Sequence, residues 1–198
     1  MASKPSITRE EILDIAYDRA QNDGVASLGI RTIASECGVA VGTIYNYFPD
    51  KASLVTEVVG RFWRQAIERA GIQFAPDPSF SMDEDPDGEG VVDHCRRLAQ
   101  SLTGSLRSFR AGWLREISTL DARTRERTHA AEGACFRSIR DGIQRSIEQD
   151  GAISPAARDS FDSAELADFI WTGLFDAIKR GDDSAETLLK LLELALYR

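Results

Sequence analysis

The sequence predicts an all-α protein with an N-terminal three-helix domain, residues 1–50, and a larger C-terminal helical domain, residues 51–198. Apolar residues recur at helical spacing through most of the chain. No segment shows the alternation of β-branched residues between turn residues that is typical of a sheet. Residues 31–51 have the pattern of two short helices joined by a tight turn, which predicts a helix-turn-helix.

The first helix has clear start and stop signals. Thr8 and Glu11 form a capping-box pattern, so we expect the helix to begin near Arg9. The Asn22-Asp23-Gly24 run is typical of a helix end. The sequence therefore predicts one helix between these two signals.

The next two helices are predicted at about residues 30–37 and 41–48. Ala34 is small enough for two helices to cross closely, and Gly38 can adopt the positive φ of a tight turn. Ile44 lies where it can hold the second of these helices against the first, and Phe48 is predicted to lie in the core. Asp50 is predicted to cap a long fourth helix.

The rest of the chain is predicted to be helical around one acidic loop, residues 76–90. Helical patterns cover about residues 91–120 and 124–149, with Gly151 and Pro155 as the end signals. Ser163 is predicted to cap the penultimate helix, and Asp183 with Glu186 to open the last one. The many arginines between residues 96 and 145 indicate either a solvated helical face or a surface for a second anionic partner.

Composition limits the function classes. The net charge of -8 argues against a protein that coats nucleic acid non-specifically, although it allows specific binding. No apolar run approaches the roughly 20 residues that span a bilayer, and the N-terminus has no signal-peptide pattern, so we expect no membrane partner and a cytoplasmic protein. Cys37, Cys95 and Cys135 are widely spaced, which fits reduced thiols at packed positions.

The third helix is the predicted reader of DNA bases, because the N-terminal part of the second helix of a helix-turn-helix enters the major groove. Asn46 can bond an adenine edge, and Tyr47 and Lys51 are predicted phosphate contacts. Residues 1–54 contain more acids than bases, so contact with a double-stranded DNA operator must come from few groups. The predicted DNA-binding residues are Arg31, Val41, Gly42, Thr43, Tyr45, Asn46, Tyr47 and Lys51.

Residues 8–60 resemble the tetracycline-repressor (TetR) family of transcriptional regulators, through GIRTIASECGVAVGTIYNYFPDK and the helices on either side of it. The resemblance implies a homodimeric, ligand-responsive regulator, released as a repressor from a palindromic operator by a small-molecule effector. It also implies that residues 51–198 bind the effector and dimerise through the last two helices. This chain departs from the family at Gly29-Ile30, where members commonly have a hydroxyl residue that caps the second helix.

Candidate residues for the C-terminal functions are apolar. An aromatic set would either line an effector pocket or fill the core: Phe62, Trp63, Phe74, Phe109, Trp113, Phe136 and Trp171. The last two helices are apolar over a wide arc. Their apolar residues are therefore predicted either to contact a partner subunit or to be buried within the monomer. The six candidate residues are Leu166, Ile170, Leu174, Ile178, Leu188 and Leu192.

Two other classes of protein compete with a regulator. An enzyme is not predicted, because Glu126 and His129 form a single E-x-x-H pattern and a di-iron bundle requires two. We expect neither a cofactor nor a metal. A helical interaction protein, whose helix-turn-helix no longer binds DNA, is the alternative that the acidic N-terminal balance favours.

Overall fold

The computed structural model describes residues 7–70, 90–109, 112–182 and 184–198, and within these ranges all regular structure is helical. Val25–Ser27 forms one turn of 3₁₀ helix. None of the described helices is both long and apolar enough to cross a membrane. The α-helices are α1 (Arg9–Asp23), α2 (Ile30–Glu36), α3 (Val41–Tyr47), α4 (Lys51–Arg69), α5 (Val91–Arg107), α6 (Trp113–Thr119), α7 (Ala122–Gln149), α8 (Pro155–Ser160), α9 (Ser163–Lys179) and α10 (Glu186–Leu196).

The chain forms two compact units. The first contains the described residues up to Trp63 together with Leu106–Gly133, and the second contains the described residues of Arg64–Ser105 together with Ala134–Arg198. The first unit therefore extends beyond the three predicted N-terminal helices and includes part of α4, all of α6 and the beginning of α7. The functional boundary at residue 50 stays a prediction.

The predicted signals at both ends of α1 are confirmed. The Glu11 amide donates to Thr8 Oγ1 at 3.2 Å, and the Thr8 amide donates to the Glu11 carboxylate at 2.7 Å. The hydrogen bonds that the Thr8 amide and the Thr8 hydroxyl donate to this carboxylate lower the pKa of Glu11. At the other end Gly24 has a φ of 85°, a backbone conformation that is costly for any residue with a side chain. Local hydrogen bonding therefore decides where this helix begins and ends.

The helical pattern predicted over about residues 91–120 corresponds to two helices rather than to one. The structure has α5 and α6 in its place, and Gly112 adopts a left-handed conformation with a φ of 86° immediately before α6. Phe109 and Trp113, on either side of the interruption, are both buried, at 4% and 2% exposure. A helical pattern in the sequence does not show this break, because both segments have apolar residues at helical spacing.

Two further boundaries differ from the prediction. Pro155 begins the short helix α8, with Ser154 as its N-cap, because proline fits the first position of a helix. Asp162 caps α9 in place of Ser163, and its carboxylate accepts hydrogen bonds from the amides of Ala164 and Glu165, both at 3.0 Å. Of the cysteines, Cys95 and Cys135 are buried, as predicted, whereas Cys37 is half-exposed.

A buried carboxylate connects three segments of the second unit. Asp150 accepts hydrogen bonds from the Tyr197 hydroxyl at 2.5 Å, from the Val91 amide at 2.9 Å and from the Ala152 amide at 2.9 Å. Burial alone would raise the pKa of Asp150, but these three hydrogen bonds outweigh it and the pKa is lowered. Asp150 thereby joins the beginning of α5, the end of α7 and the residue that follows α10.

Candidate nucleic-acid interface

The turn between α2 and α3 has the geometry that the sequence predicts. Gly38 has a φ of 65°, and the Val39 amide donates to the Ala34 carbonyl at 3.0 Å. Ala34 is 1% exposed, while Ile33 and Ile44 are fully buried, so the two helices are held against each other by apolar contacts. This is a helix-turn-helix.

The face of α3 opposite Ile44 is open to solvent. Val41 and Tyr45 are 36% and 50% exposed, Gly42 and Asn46 are also exposed, and Thr43 is half-exposed. Phe48, which follows the helix, is buried at 1% exposure, as predicted. The helix therefore presents to solvent the residues that a base-reading helix requires, although their contact with DNA stays a prediction.

The predicted phosphate contacts already have partners within the first unit. The Tyr47 hydroxyl donates to the Ile7 carbonyl at 2.7 Å, so donation to a phosphate would have to replace that bond. The Lys51 ammonium lies 3.5 Å from the Ala26 carbonyl oxygen. Arg31 is exposed in the first turn of α2. All three stay predicted contacts.

The start of α2 lacks a side-chain cap. Gly29 occupies the N-cap position and provides no side-chain hydrogen bond. Ser27 does not replace it, because its hydroxyl donates to the Gly24 carbonyl at 2.6 Å. The hydroxyl cap that is common in the family is therefore missing here, and so is the phosphate contact that such a cap could make.

Asp50 connects the start of α4 with α7. Its Oδ1 accepts from the Ser53 amide at 2.7 Å, which confirms it as the N-cap of α4. Its carboxylate also lies 3.3 Å from Arg123 Nη2 and 3.2 Å from Arg127 Nη1. The hydrogen bonds from Ser53 and the two guanidinium groups hold the pKa of Asp50 below its ordinary value. Sequence reasoning missed these arginines, because no local pattern pairs residues so far apart in the chain.

A second contact joins α6 to the segment between α1 and α2. The Glu116 carboxylate accepts a hydrogen bond from the Ala26 amide at 3.3 Å. A Cβ at position 24 would lie 2.2 Å from Glu116 Oε2, so a side chain there would displace this carboxylate. The helix-turn-helix is therefore supported by α6 and α7 as well as by α1 and α4.

The predicted pocket aromatics fall into two packed clusters. In the first unit, the Phe62 ring lies 4.4 Å from Trp113, 4.9 Å from Phe109 and 5.0 Å from Trp63. In the second unit, Phe136 and Trp171 lie 5.1 Å apart. Because these rings contact one another, they form part of the core, and their role in a pocket stays a prediction. Phe74 lies outside the described residues, as does the acidic stretch 76–90 except for Gly90.

An open groove in the second unit has a volume of about 410 Å³. Its lining is polar and basic, unlike the predicted aromatic pocket. The lining residues are Arg69, Arg97, Gln100, Ser101, Gly104 and Ser105.

The predicted interface residues of the last two helices lie mostly inside the second unit. Ile170 and Leu174 are fully buried, and Leu166 and Leu188 are half-buried. Ile178 and Leu192 are 6% and 4% exposed. The predicted interface stays a prediction. Three other apolar residues of α9 and α10 are more exposed. They are Phe169, Leu191 and Leu194, at 64%, 59% and 47% exposure.

Two short helices that cross at a tight turn, the second with an outward polar face, define a helix-turn-helix protein. Residues 12–58 match the family model described as bacterial regulatory proteins, tetR family. Over these residues the chain is similar to the helix-turn-helix domain of TetR-family transcriptional regulators. Members of this family are DNA-binding transcription factors rather than enzymes.

Relatives match over the N-terminal part of the chain. The HTH-type transcriptional repressor KstR of Mycolicibacterium smegmatis is 40% identical over 53 residues, which are 27% of this chain and 26% of that protein. An HTH-type transcriptional regulator of Staphylococcus aureus is 36% identical over 53 residues, 27% of this chain and 29% of that protein. The chain therefore matches about a quarter of the length of these relatives.

Solved structures share the fold over nearly the whole chain. GusR of Salmonella enterica has a TM-score of 0.64 at 18% identity, covering 98% of this chain and 97% of its own. A putative TetR-family regulator from Rhodococcus sp. has a TM-score of 0.60 at 17% identity, covering 95% and 97%. A putative regulator from Saccharomonospora viridis, in complex with choline, has a TM-score of 0.56 at 21% identity, covering 96% and 97%. The protein thus has the fold of an N-terminal helix-turn-helix followed by a helical C-terminal domain.

Proposed function

We propose that this protein is a sequence-specific transcriptional regulator that binds an operator in double-stranded DNA through α3. The observation that carries the proposal is the two-sided character of this helix. Ile44 is fully buried against α2, while Gly42 and Asn46 face solvent. A helix anchored on one side and exposed on the other can enter a major groove without loss of its packing.

The acidic composition of the N-terminal region does not oppose DNA binding as strongly as the sequence indicates. Glu10 and Asp14 both pair with Arg61, at 2.9 and 2.6 Å. Glu57 pairs with Arg9 at 2.7 Å, and Glu36 pairs with Arg19. Exposed ion pairs add little stability, but each of the three arginines offsets one carboxylate charge that would otherwise repel DNA. The alternative, an interaction protein that no longer binds DNA, loses part of its support.

Selection of bound genomic fragments tests the proposal, and single substitutions then divide its contacts into two classes. We expect Asn46→Ala to change the preferred base at one position of each half-site, by about 1–3 kcal/mol. We expect Lys51→Ala to weaken binding to all sequences and to reduce the salt dependence, because a phosphate contact carries no sequence information.

Binding curves on the selected operator and on point-mutated operators measure both effects. Glu68→Ala, at an exposed position of α4 in the second unit, is the control. If Asn46→Ala kept the base preference and Lys51→Ala kept the affinity of the parent protein, α3 and the start of α4 would not be the contact surface.

Repression and homodimerisation are further parts of the proposal. The relatives named KstR are transcriptional repressors by name, which supports repression here. The exposed Phe169, Leu191 and Leu194 form an apolar face on α9 and α10 that a second copy can cover. A twofold dimer on a pseudo-palindromic operator would place its two reading helices about 34–36 Å apart, or a multiple of that distance.

We expect the double substitution Phe169→Glu and Leu191→Glu to give a folded monomer. Both side chains are more than half exposed, so the substitutions leave the core intact but place two charges in an apolar interface. Sedimentation velocity measures the oligomeric state. Binding to a palindromic operator should weaken when the dimer is lost. Ala156→Glu, at an exposed position of α8, is the matched control. A double variant that remains dimeric would place the interface elsewhere.

A small-molecule effector is proposed for the C-terminal domain, residues 51–198. The structural neighbour solved with choline supports this, since that protein binds a small molecule on a similar fold. An effector must prefer the conformation that misplaces the reading helices, and a hundredfold loss of operator affinity requires about 2.7 kcal/mol of differential binding. To test this coupling, candidate compounds are first screened for thermal stabilisation of the protein. The compounds that stabilise it are then tested for release of the operator.

A further inference from the structure

Two arginines of α7 lie beside the predicted phosphate contact at the start of α4. Arg123 and Arg127 both lie within 3.3 Å of the Asp50 carboxylate, and Asp50 directly precedes Lys51. Arg127 Nη1 also donates to the Ser53 hydroxyl at 3.0 Å, in the first turn of α4. The fold therefore brings two positive charges from the middle of the sequence to the corner that follows α3.

We propose that Arg123 and Arg127 contact the DNA phosphate backbone next to Lys51 and so extend the DNA-binding surface beyond the helix-turn-helix. The inference rests on the proposed function. It assigns DNA contacts to α7, whereas the sequence placed all of them between residues 31 and 51.

The helix-turn-helix itself provides few cations for DNA. Among the described residues 7–63, Arg9 pairs with one carboxylate, and Arg19 and Arg61 pair with two each, so these arginines add no net positive charge. In this same range Arg31 and Lys51 have no carboxylate partner. Two cations per subunit are few for operator binding, because neutralised phosphates supply much of the affinity. Arg123 and Arg127, in contrast, share the single carboxylate of Asp50. These two arginines of α7 add positive charge beside Lys51, where the helix-turn-helix provides little.

The exposure and chemistry of the two arginine side chains suit a phosphate contact. The Arg123 side chain is 70% exposed and that of Arg127 is 43% exposed, so both can approach a phosphate without losing buried contacts. An exposed ion pair such as theirs with Asp50 is weak and exchanges readily. A guanidinium has five N–H donors in a planar fork that matches a phosphate. Each arginine can therefore contact DNA while it still shields Asp50.

A purely supporting role is the competing explanation. In that case the arginines would only hold Asp50, and through it the start of α4. Asp50→Asn separates the two roles, because an asparagine oxygen can still cap α4 while the charge that attracts the arginines is lost. If the arginines contact phosphate, Asp50→Asn should bind the operator as tightly as the parent protein or more tightly. If they only hold Asp50, it should bind more weakly.

The decisive experiment measures operator affinity from about 50 to 200 mM salt for Arg123→Gln and Arg127→Gln. Each phosphate contact contributes about 0.9 to the slope of log affinity against log salt, so one substitution should make the slope shallower by about 1.8 in a two-subunit complex. At about 50 mM salt, affinity should fall about tenfold or more for every operator sequence. Arg145→Gln, at an exposed position of α7 in the second unit, should change neither value.

The outcomes distinguish this inference from the proposed function. Arginine variants with the parent salt slope would overturn the inference, and a loss of affinity without a change of slope, shared by Asp50→Asn, would establish the supporting role. In both cases operator binding by the parent protein would still support the proposed function. A parent protein that binds no DNA at low salt would overturn both.

Discussion

Gly42→Glu is expected to fold as the parent protein does and to lose at least a hundredfold of its operator affinity. Gly42 lies in the first turn of α3, and a Cβ added there would meet no atom within 4 Å, so the new side chain has room. If α3 enters the major groove as proposed, the substitution would place a carboxylate there, close to the phosphates. A hundredfold loss corresponds to about 2.7 kcal/mol, which is modest for like charges brought together in an interface. Binding titrations at fixed salt measure the effect.

Gly104→Glu is the matched control for this prediction. Gly104 is also an exposed helical glycine where an added Cβ would meet no atom within 4 Å, but it lies in α5 of the second unit. Both variants add one negative charge and replace a glycine within a helix, so their effects on net charge and on helix stability should be similar. Equal operator affinities for the two variants would show that α3 does not enter the groove.

Asp150→Ala is expected to lower the free energy of unfolding by about 3 kcal/mol, because it leaves three hydrogen-bond donors without their acceptor. The donors are the Tyr197 hydroxyl and the amides of Val91 and Ala152, and Asp150 itself is only 7% exposed. Tyr197→Phe removes one of the three hydrogen bonds and should cost about 1 kcal/mol. Chemical denaturation at one fixed protein concentration measures both, because the stability of the proposed dimer would depend on protein concentration.

The contribution of Asp150 should also depend on pH. Its pKa is lowered in the folded protein, so its contribution is complete above the ordinary aspartate pKa of about 3.9 and is lost as the pH falls through the lower folded value. The difference between the parent protein and Asp150→Ala should therefore shrink below about pH 4. Asp141→Ala, at an exposed position of α7, should change stability little at any pH. If the difference in unfolding free energy between the parent protein and Asp150→Ala stayed constant at acidic pH, the lost stability would come from lost packing.

Several elements of the fold and of the site could be predicted from the sequence because their causes are local. The capping box of Thr8 and Glu11 and the positive φ of Gly24 and Gly38 each involve residues within a few positions of one another. The burial of Ile44 and the exposure of Asn46 follow from helical spacing once the helix is identified. The match over residues 12–58 covers this same region.

The parts that could not be predicted depend on which helices become neighbours. The break before Trp113 lies where Phe109 and Trp113 join one cluster with Phe62, and the helical pattern in the sequence continues through it. The pairs of Asp50 with Arg123 and Arg127 join residues far apart in sequence. No spacing rule connects such residues.

The sequence by itself determined the helical class, the helix-turn-helix and the two ends of α1. Hydrogen bonds and φ preferences over a few residues are enough to specify these features. Only the tertiary structure decided which apolar face of the last two helices is covered within the unit. Ile170 and Phe169 are adjacent and both apolar, yet one is fully buried and the other is 64% exposed. Burial is a property of the surface that a neighbouring helix covers, and the choice of that neighbour follows from the packing of the whole unit.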